Sequence, residues 1–268
     1  MRLIVAGALA LAGLATPLHA AQARLTIFAA ASLSDPFREL ARLFERRHPG
    51  SSVRLNFAGS QQLAAQLDQG ARADLFASAD ARWIDFLRAR GRVAGEPRVF
   101  ASNRLVVIVP RRNPAGIETL ADLARPGVKL VLAADAVPLG RYSREALARL
   151  AAMPGAGADY ARRALRNVVS HEEQAKAVVA KVQLGEADAG IVYRSDLTPA
   201  VRTAVRALEI PERYNVPASY VAVRLVEAGD AAGVEGFLRL LTGAEGREIL
   251  ARHGFLPPAG RAHDREAR

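Results

Sequence analysis

The stretch Phe28-Ala29-Ala30-Ala31-Ser32-Leu33-Ser34-Asp35-Pro36 decides the fold. The apolar run 25–31 reads as a buried strand that breaks at Ser32, and a helix opens with Asp35 as N-cap and Pro36 at its first position. A hydroxyl therefore stands where a strand hands over to a helix. Such a junction gathers free backbone N–H groups and the positive end of the helix dipole, which suits an anion. The device recurs at Phe57-Ala58-Gly59-Ser60-Gln61-Gln62, after the strand-like stretch 53–57. Each serine taken alone reads as an ordinary N-cap; the pair reads as the start of an oxyanion site.

Outward from these junctions the chain alternates strand and helix, the signature of an α/β sheet covered on both faces. A helix over 36–47 repeats apolar residues at Phe37, Leu40, Leu43 and Phe44, and a short helix over 61–69 ends at Gly70. The stretch 74–80 gives a third strand, followed by a helix over 81–90 with Trp83, Phe86 and Leu87 on one face. No Gly-x-Gly-x-x-Gly turn follows the first strand, which excludes the usual dinucleotide site. A strongly apolar strand at 104–110 restarts the alternation: strands at 130–133, 168–169 and 190–193, and helices at 143–152, 160–165 and 175–184. Strand-like 207–210, a proline-bounded loop 211–217, a strand at 218–223 and helices at 231–241 and 244–253 complete the pattern, with Gly254 as C-cap. Only three strands precede residue 104, so the chain is expected to cross out near Asn103, return near Val216 and finish on the first lobe. The expectation is an α/β fold of two lobes, each a mixed sheet flanked by helices, joined by two crossover strands. Residues 24–103 and 217–258 form lobe one, and 104–216 form lobe two.

Residues 1–23 combine Arg2, an apolar run over 3–14 and small-residue cleavage sites at 18–20 and 21–23, which read as a secretory signal. No later run is apolar for long enough to span a bilayer. There is no cysteine, hence no disulfide and no lipid attached at a cysteine. An exported, periplasmic, monomeric protein follows, with no membrane insertion. The formal charge of +10 raises the question of nucleic acid, but the arginines are scattered among carboxylates and aromatic residues make up only 6%, so no basic stacking platform is present. The small, charged segment 259–268 reads as a loose tail.

Five ordered blocks, Phe28 to Leu33, Ala73 to Asp80, Val137-Pro138-Leu139-Gly140-Arg141-Tyr142, Gly185 to Tyr193 and Gly254-Phe255, resemble the periplasmic molybdate-binding proteins that feed ABC importers. The likeness runs from about residue 25 to about 255 and implies a type II periplasmic-binding-protein fold closing on a tetrahedral oxyanion. It implies no catalysis and no cofactor, with molybdate or tungstate as ligand and a membrane permease as partner. By the resemblance, Ser32 and Ser60 bind with side chain and backbone. Lobe two adds backbone N–H groups of Leu139, where the family has alanine, and of Ala175, and the hydroxyl of Tyr193. All five are donors, which suits an anion whose oxygens only accept; hydrogenphosphate, which carries a proton, would need an acceptor.

Other readings stand beside these. Ser170 and Glu173 spell a capping box; if it is used, the helix begins earlier and the lobe-two donor is one of residues 172–174. The nearby carboxylates Glu172 and Glu173 should then point outward. Tyr193 also reads as a strand-end residue, and Tyr142 as packing under the Pro138 turn or a wall of the site. Asp74 and Asp80 read as caps and cleft-lining groups, and none of His19, His48, His171, His253 and His263 pairs with a metal partner. A secreted hydrolase with Ser32 or Ser60 as nucleophile lacks a Gly-x-Ser-x-Gly elbow. Sulfate or another oxyanion is the alternative ligand of the two-lobed binder.

Overall fold

The computed structural model describes residues 24–258; the signal read at 1–23 and the tail read at 259–268 lie outside the described residues. The first sheet has strand order β2-β1-β3-β10-β4, built from β1 (Arg24–Ala30), β2 (Ser52–Ala58), β3 (Leu75–Ser78), β4 (Arg98–Asn103) and β10 (Ala218–Arg224). β1 runs parallel to β2 and β3, and β10 is antiparallel to β3 and β4, so the sheet is mixed. The second sheet, order β7-β6-β8-β5-β9, comprises β5 (Leu105–Pro110), β6 (Leu130–Ala133), β7 (Val168–Glu172), β8 (Ala189–Tyr193) and β9 (Val205–Glu209). Its parallel pairs are β6 with β7 and β8, and its antiparallel pairs are β5 with β8 and β9.

Alternation along β1 sends side chains to opposite faces. Leu25, Ile27 and Ala29 join Phe37 and Phe44 of α1 (Ser34–Arg47) and Phe237 of α8 (Ala231–Thr242), whereas Phe28 packs with Leu63 and Leu67 of α2 (Ser60–Asp68) and Ile84 and Leu87 of α3 (Ala81–Arg88). The last helix, α9 (Ala244–Arg252), lies against α1 and α8. Around the second sheet stand α4 (Pro138–Leu150), α5 (Tyr160–Arg166), α6 (Ala175–Gln183) and the short α7 (Pro199–Ala204). The chain passes from the first sheet to the second at Arg104 and returns between β9 and β10. Asn215 pins the two passages together: its Oδ1 accepts the Leu105 and Val216 N–H groups, and its Nδ2 donates to the Leu105 and Ile210 carbonyls.

Four expectations need correction. The first sheet receives a fourth strand, β4, before Arg104; it is an edge strand whose place is set by pairing with β10. Helix α1 starts at Ser34 after a single 3-10 turn, Ala31–Leu33, so Asp35 is not its N-cap. Pro36 instead occupies the third helical position, where its missing N–H costs nothing, and exposed Asp35 favours the dipole from the first turn. Helix α4 starts at Pro138, not at 143: proline suits N1, and Gly140 lies so close to the preceding turn that an added Cβ would stand 2.0 Å from the Ala134 carbonyl oxygen. Ser170 lies within β7, opposite Val131, so the capping box with Glu173 does not form. Helix α6 opens at Ala175 with Gln174 as an extended N-cap.

Candidate functional site

All five residues singled out in the sequence come to one cavity between the two sheets. Its walls are Ala30, Ala31, Ser32, Ala58, Gly59, Ser60 and Ala79 from the first lobe and Val137, Pro138, Leu139, Gln174, Ala175 and Tyr193 from the second. Strand ends and helix starts of both lobes supply these walls, because the carboxyl ends of parallel strands and the amino ends of the following helices lie on the same edge of each sheet. The space open to the centre of a water-sized sphere is about 20 Å³. That leaves room for one small guest.

The hydroxyls and helix-start N–H groups of these lining residues can donate. Ser60 is buried at the first position of α2, and its Oγ accepts the Ala79 N–H at 3.1 Å. A backbone N–H can only donate, so the Ser60 hydrogen is left to point elsewhere. Ser32 sits in the 3-10 turn with its Oγ 3.0 Å from the Tyr220 hydroxyl. Leu139 and Ala175 stand at the second position of α4 and the first of α6, where N–H groups have no acceptor inside the helix. The larger side chain at 139 is buried in the second lobe's core, and the residue still lines the cavity.

Tyr193 ends β8, and its hydroxyl is buried without a hydrogen-bond partner among the described residues. A buried hydroxyl left unpaired costs about 1–3 kcal/mol, so an unpaired one at a cavity wall points to a guest. Burial pushes the phenol's pKa well above its ordinary value, with nearby acidic groups adding to the rise, so at neutral pH the group holds its proton and can donate. Below it, Asp196 accepts the Tyr193 N–H at 3.0 Å; burial pushes that carboxyl up to about 7, against the lowering pull of the hydrogen bond and of Lys176.

No arginine, lysine or carboxylate lies among the lining residues. Burial raises the Glu172 pKa, but its bonds to Ser170 and Lys181 outweigh that and hold it below the usual carboxylate value, and Glu173 is exposed. Charged groups stand one layer out. Asp80, 1% exposed, caps α3 and receives Nε and Nη2 of Arg141 from the second lobe at 3.1 and 2.8 Å. Further bonds join the lobes: Gln61 Nε2 to the Glu173 carbonyl at 2.9 Å, the Tyr142 hydroxyl to the Ala79 carbonyl at 3.4 Å, Lys176 to Ser34, and, at the passage between the sheets, Asn103 Nδ2 to Ser195 Oγ at 2.8 Å.

Several sequence readings change place. Asp74 lines no cleft: its carboxylate accepts the Thr26 and Gly229 N–H groups and braces the first lobe. Asp80 is the expected cap but bonds across the lobes rather than lining the cavity, and Tyr142 bridges the lobes rather than forming a wall. Neither serine hydroxyl has a histidine partner, so the nucleophile reading has no base. Arg141 was not anticipated as a partner of Asp80; a pairing across 61 positions leaves no local signal.

A profile of the family described as bacterial extracellular solute-binding protein matches residues 25–256. The molybdate-binding protein ModA of Mycobacterium tuberculosis is 38% identical over 234 residues, covering 87% of this chain and 85% of the relative. Among solved structures, the periplasmic molybdate-binding protein of Azotobacter vinelandii superposes with a TM-score of 0.74 at 20% identity, covering 87% of this chain and 99% of that one. The sulfate-binding protein SubI of Mycobacterium tuberculosis gives 0.77 at 18% identity, covering 88% and 87%. At these identities the two superpositions speak for the fold alone, a type II periplasmic-binding-protein architecture.

Proposed function

The chain belongs to the bacterial extracellular solute-binding proteins, a family of binders and not of enzymes, and from that premise we propose that it captures molybdate, with tungstate as a second ligand, for an ABC importer. The observation that supports this most is the cavity itself: a space for one small ion, lined by hydroxyls and helix-start N–H groups and by no charged side chain. Molybdate and tungstate are unprotonated near neutral pH, so each oxygen accepts and none donates. Neutral donors fixed by helix starts match them without ordering a long ionic side chain.

In this reading residues 1–23 direct export to the periplasm and are removed, and the mature protein acts as a monomer. Lobe one (24–103 and 217–258) takes the anion first, on Ser32 and Ser60. Lobe two (104–216) then rotates about the passages near Asn103 and Val216 and brings Leu139, Ala175 and Tyr193 onto the remaining oxygens. The closed protein presents both lobes to the membrane permease.

Titration calorimetry with molybdate, tungstate, sulfate and phosphate tests the ligand. Submicromolar binding of the first two with no response to sulfate is expected; tight sulfate binding in their place would transfer the site to that anion. Ser60→Ala and Tyr193→Phe should each raise the molybdate Kd about tenfold, the worth of one hydrogen bond to a charged group. Small-angle scattering should show a smaller radius of gyration with molybdate than without, and an unchanged radius would count against closure.

A further inference from the structure

A serine hydroxyl can donate or accept, so its neighbours decide which role it plays toward a guest. Behind Ser32 that neighbour is the hydroxyl of Tyr220. Tyr220 is fully buried, its ring held edge-on by Phe255 at 5.1 Å and Tyr193 at 5.9 Å, and its hydroxyl lies 3.0 Å from Ser32 Oγ.

The buried phenol hydrogen needs an acceptor, and Ser32 Oγ stands within hydrogen-bond distance of it; once it is given there, the single Ser32 hydrogen is left for the cavity. We propose that Tyr220 is a positioning residue that makes Ser32 a donor toward the guest, and that this imposed polarity helps the site reject oxyanions that carry a proton. The proposal rests on the oxyanion reading of the cavity. It parallels Ser60, whose oxygen is already occupied by the Ala79 N–H.

Tyr220→Phe keeps the ring and its edge contacts while removing the link. Calorimetry with molybdate, and with phosphate at a mildly alkaline pH where it carries one proton, should give a molybdate Kd raised about tenfold. The gap between phosphate and molybdate should narrow by a similar factor. Made in a Ser32→Ala protein, the same change should move the molybdate Kd less than about twofold, because the group it orients is gone. An equal loss in both backgrounds, or an unchanged selectivity, overturns the proposal, since a general loosening of the core would act regardless of Ser32. Failure of the unmutated protein to bind molybdate would sink the proposed function instead.

Discussion

Alanine at Gly59 is expected to weaken molybdate binding about 100-fold while leaving the stability of the unliganded protein unchanged or slightly raised. Gly59 has φ −60° and ψ 141°, a conformation open to any residue, so no backbone strain arises. In the unfolded chain alanine has less freedom to lose, worth about 0.4–1 kcal/mol in favour of folding. The obstacle lies across the cleft. A Cβ at this position would stand 2.5 Å from the Glu173 carbonyl oxygen and as close to the Gln61 amide. The amide can swing aside at the expense of its bond to that same carbonyl, but Glu173 is backbone and directly precedes the N-cap of α6. Relief must come from holding α6 away, which withdraws the Ala175 N–H from the anion. Overpacking of this kind costs about 1–3 kcal/mol, and at the upper end that is about 100-fold in Kd. Calorimetry beside a thermal melt checks it: binding within about threefold of the unmutated protein would mean that Gly59 and Glu173 need not meet.

Much of the candidate site's lining could be read before any coordinates because it is made of local features. Ser32 follows an apolar run and Ser60 an alternating strand, each breaking at small residues, and Tyr193 ends another apolar run; these are one-dimensional signals of strand ends. The elements that escaped reading are those whose identity depends on distant partners. β4 has no apolar run of its own and is a strand because β10 lies beside it. Helix α7 is one short stretch with no buried residue, so it carries no periodic stripe. At α4 the sequence misleads in the opposite way, since Pro138 and Gly140 look like breakers yet serve as N1 and as the close contact over Ala134. The Ser170 to Glu173 signature is locally sound, but pairing of β7 with β6 overrides it. What the sequence could not supply was the layer behind these residues: Tyr220 reaches Ser32 only when the distant strand β10 joins the first sheet, and the Asp80–Arg141 pair forms only where the lobes meet.

That pair carries the other large expected effect: Arg141→Ala should raise the molybdate Kd about 30- to 100-fold, and Asp80→Asn in the same protein should restore part of the loss. Asp80 is 1% exposed, with one oxygen on the Arg82 N–H at the start of α3 and the other on the two Arg141 nitrogens. Removing one partner of a buried pair costs about 3–5 kcal/mol because a charge is left unpaired out of water. Here the figure must be reduced to about 2–3 kcal/mol, since Arg141 is 33% exposed and the α3 N-terminus still faces the carboxylate. The cost should fall on closure more than on folding, because Arg141 belongs to the second lobe and Asp80 to the first; with the lobes apart, water can reach the carboxylate. An unneutralised Asp80 would also repel the dianion from beside Ala79, a wall of the cavity, so both effects act in one direction. Asparagine keeps an oxygen for the Arg82 N–H while removing the charge, which is why the double variant should bind more tightly than Arg141→Ala alone. Equal or weaker binding by the double variant, measured by calorimetry at low and moderate salt, would show that Arg141 acts through something other than this carboxylate.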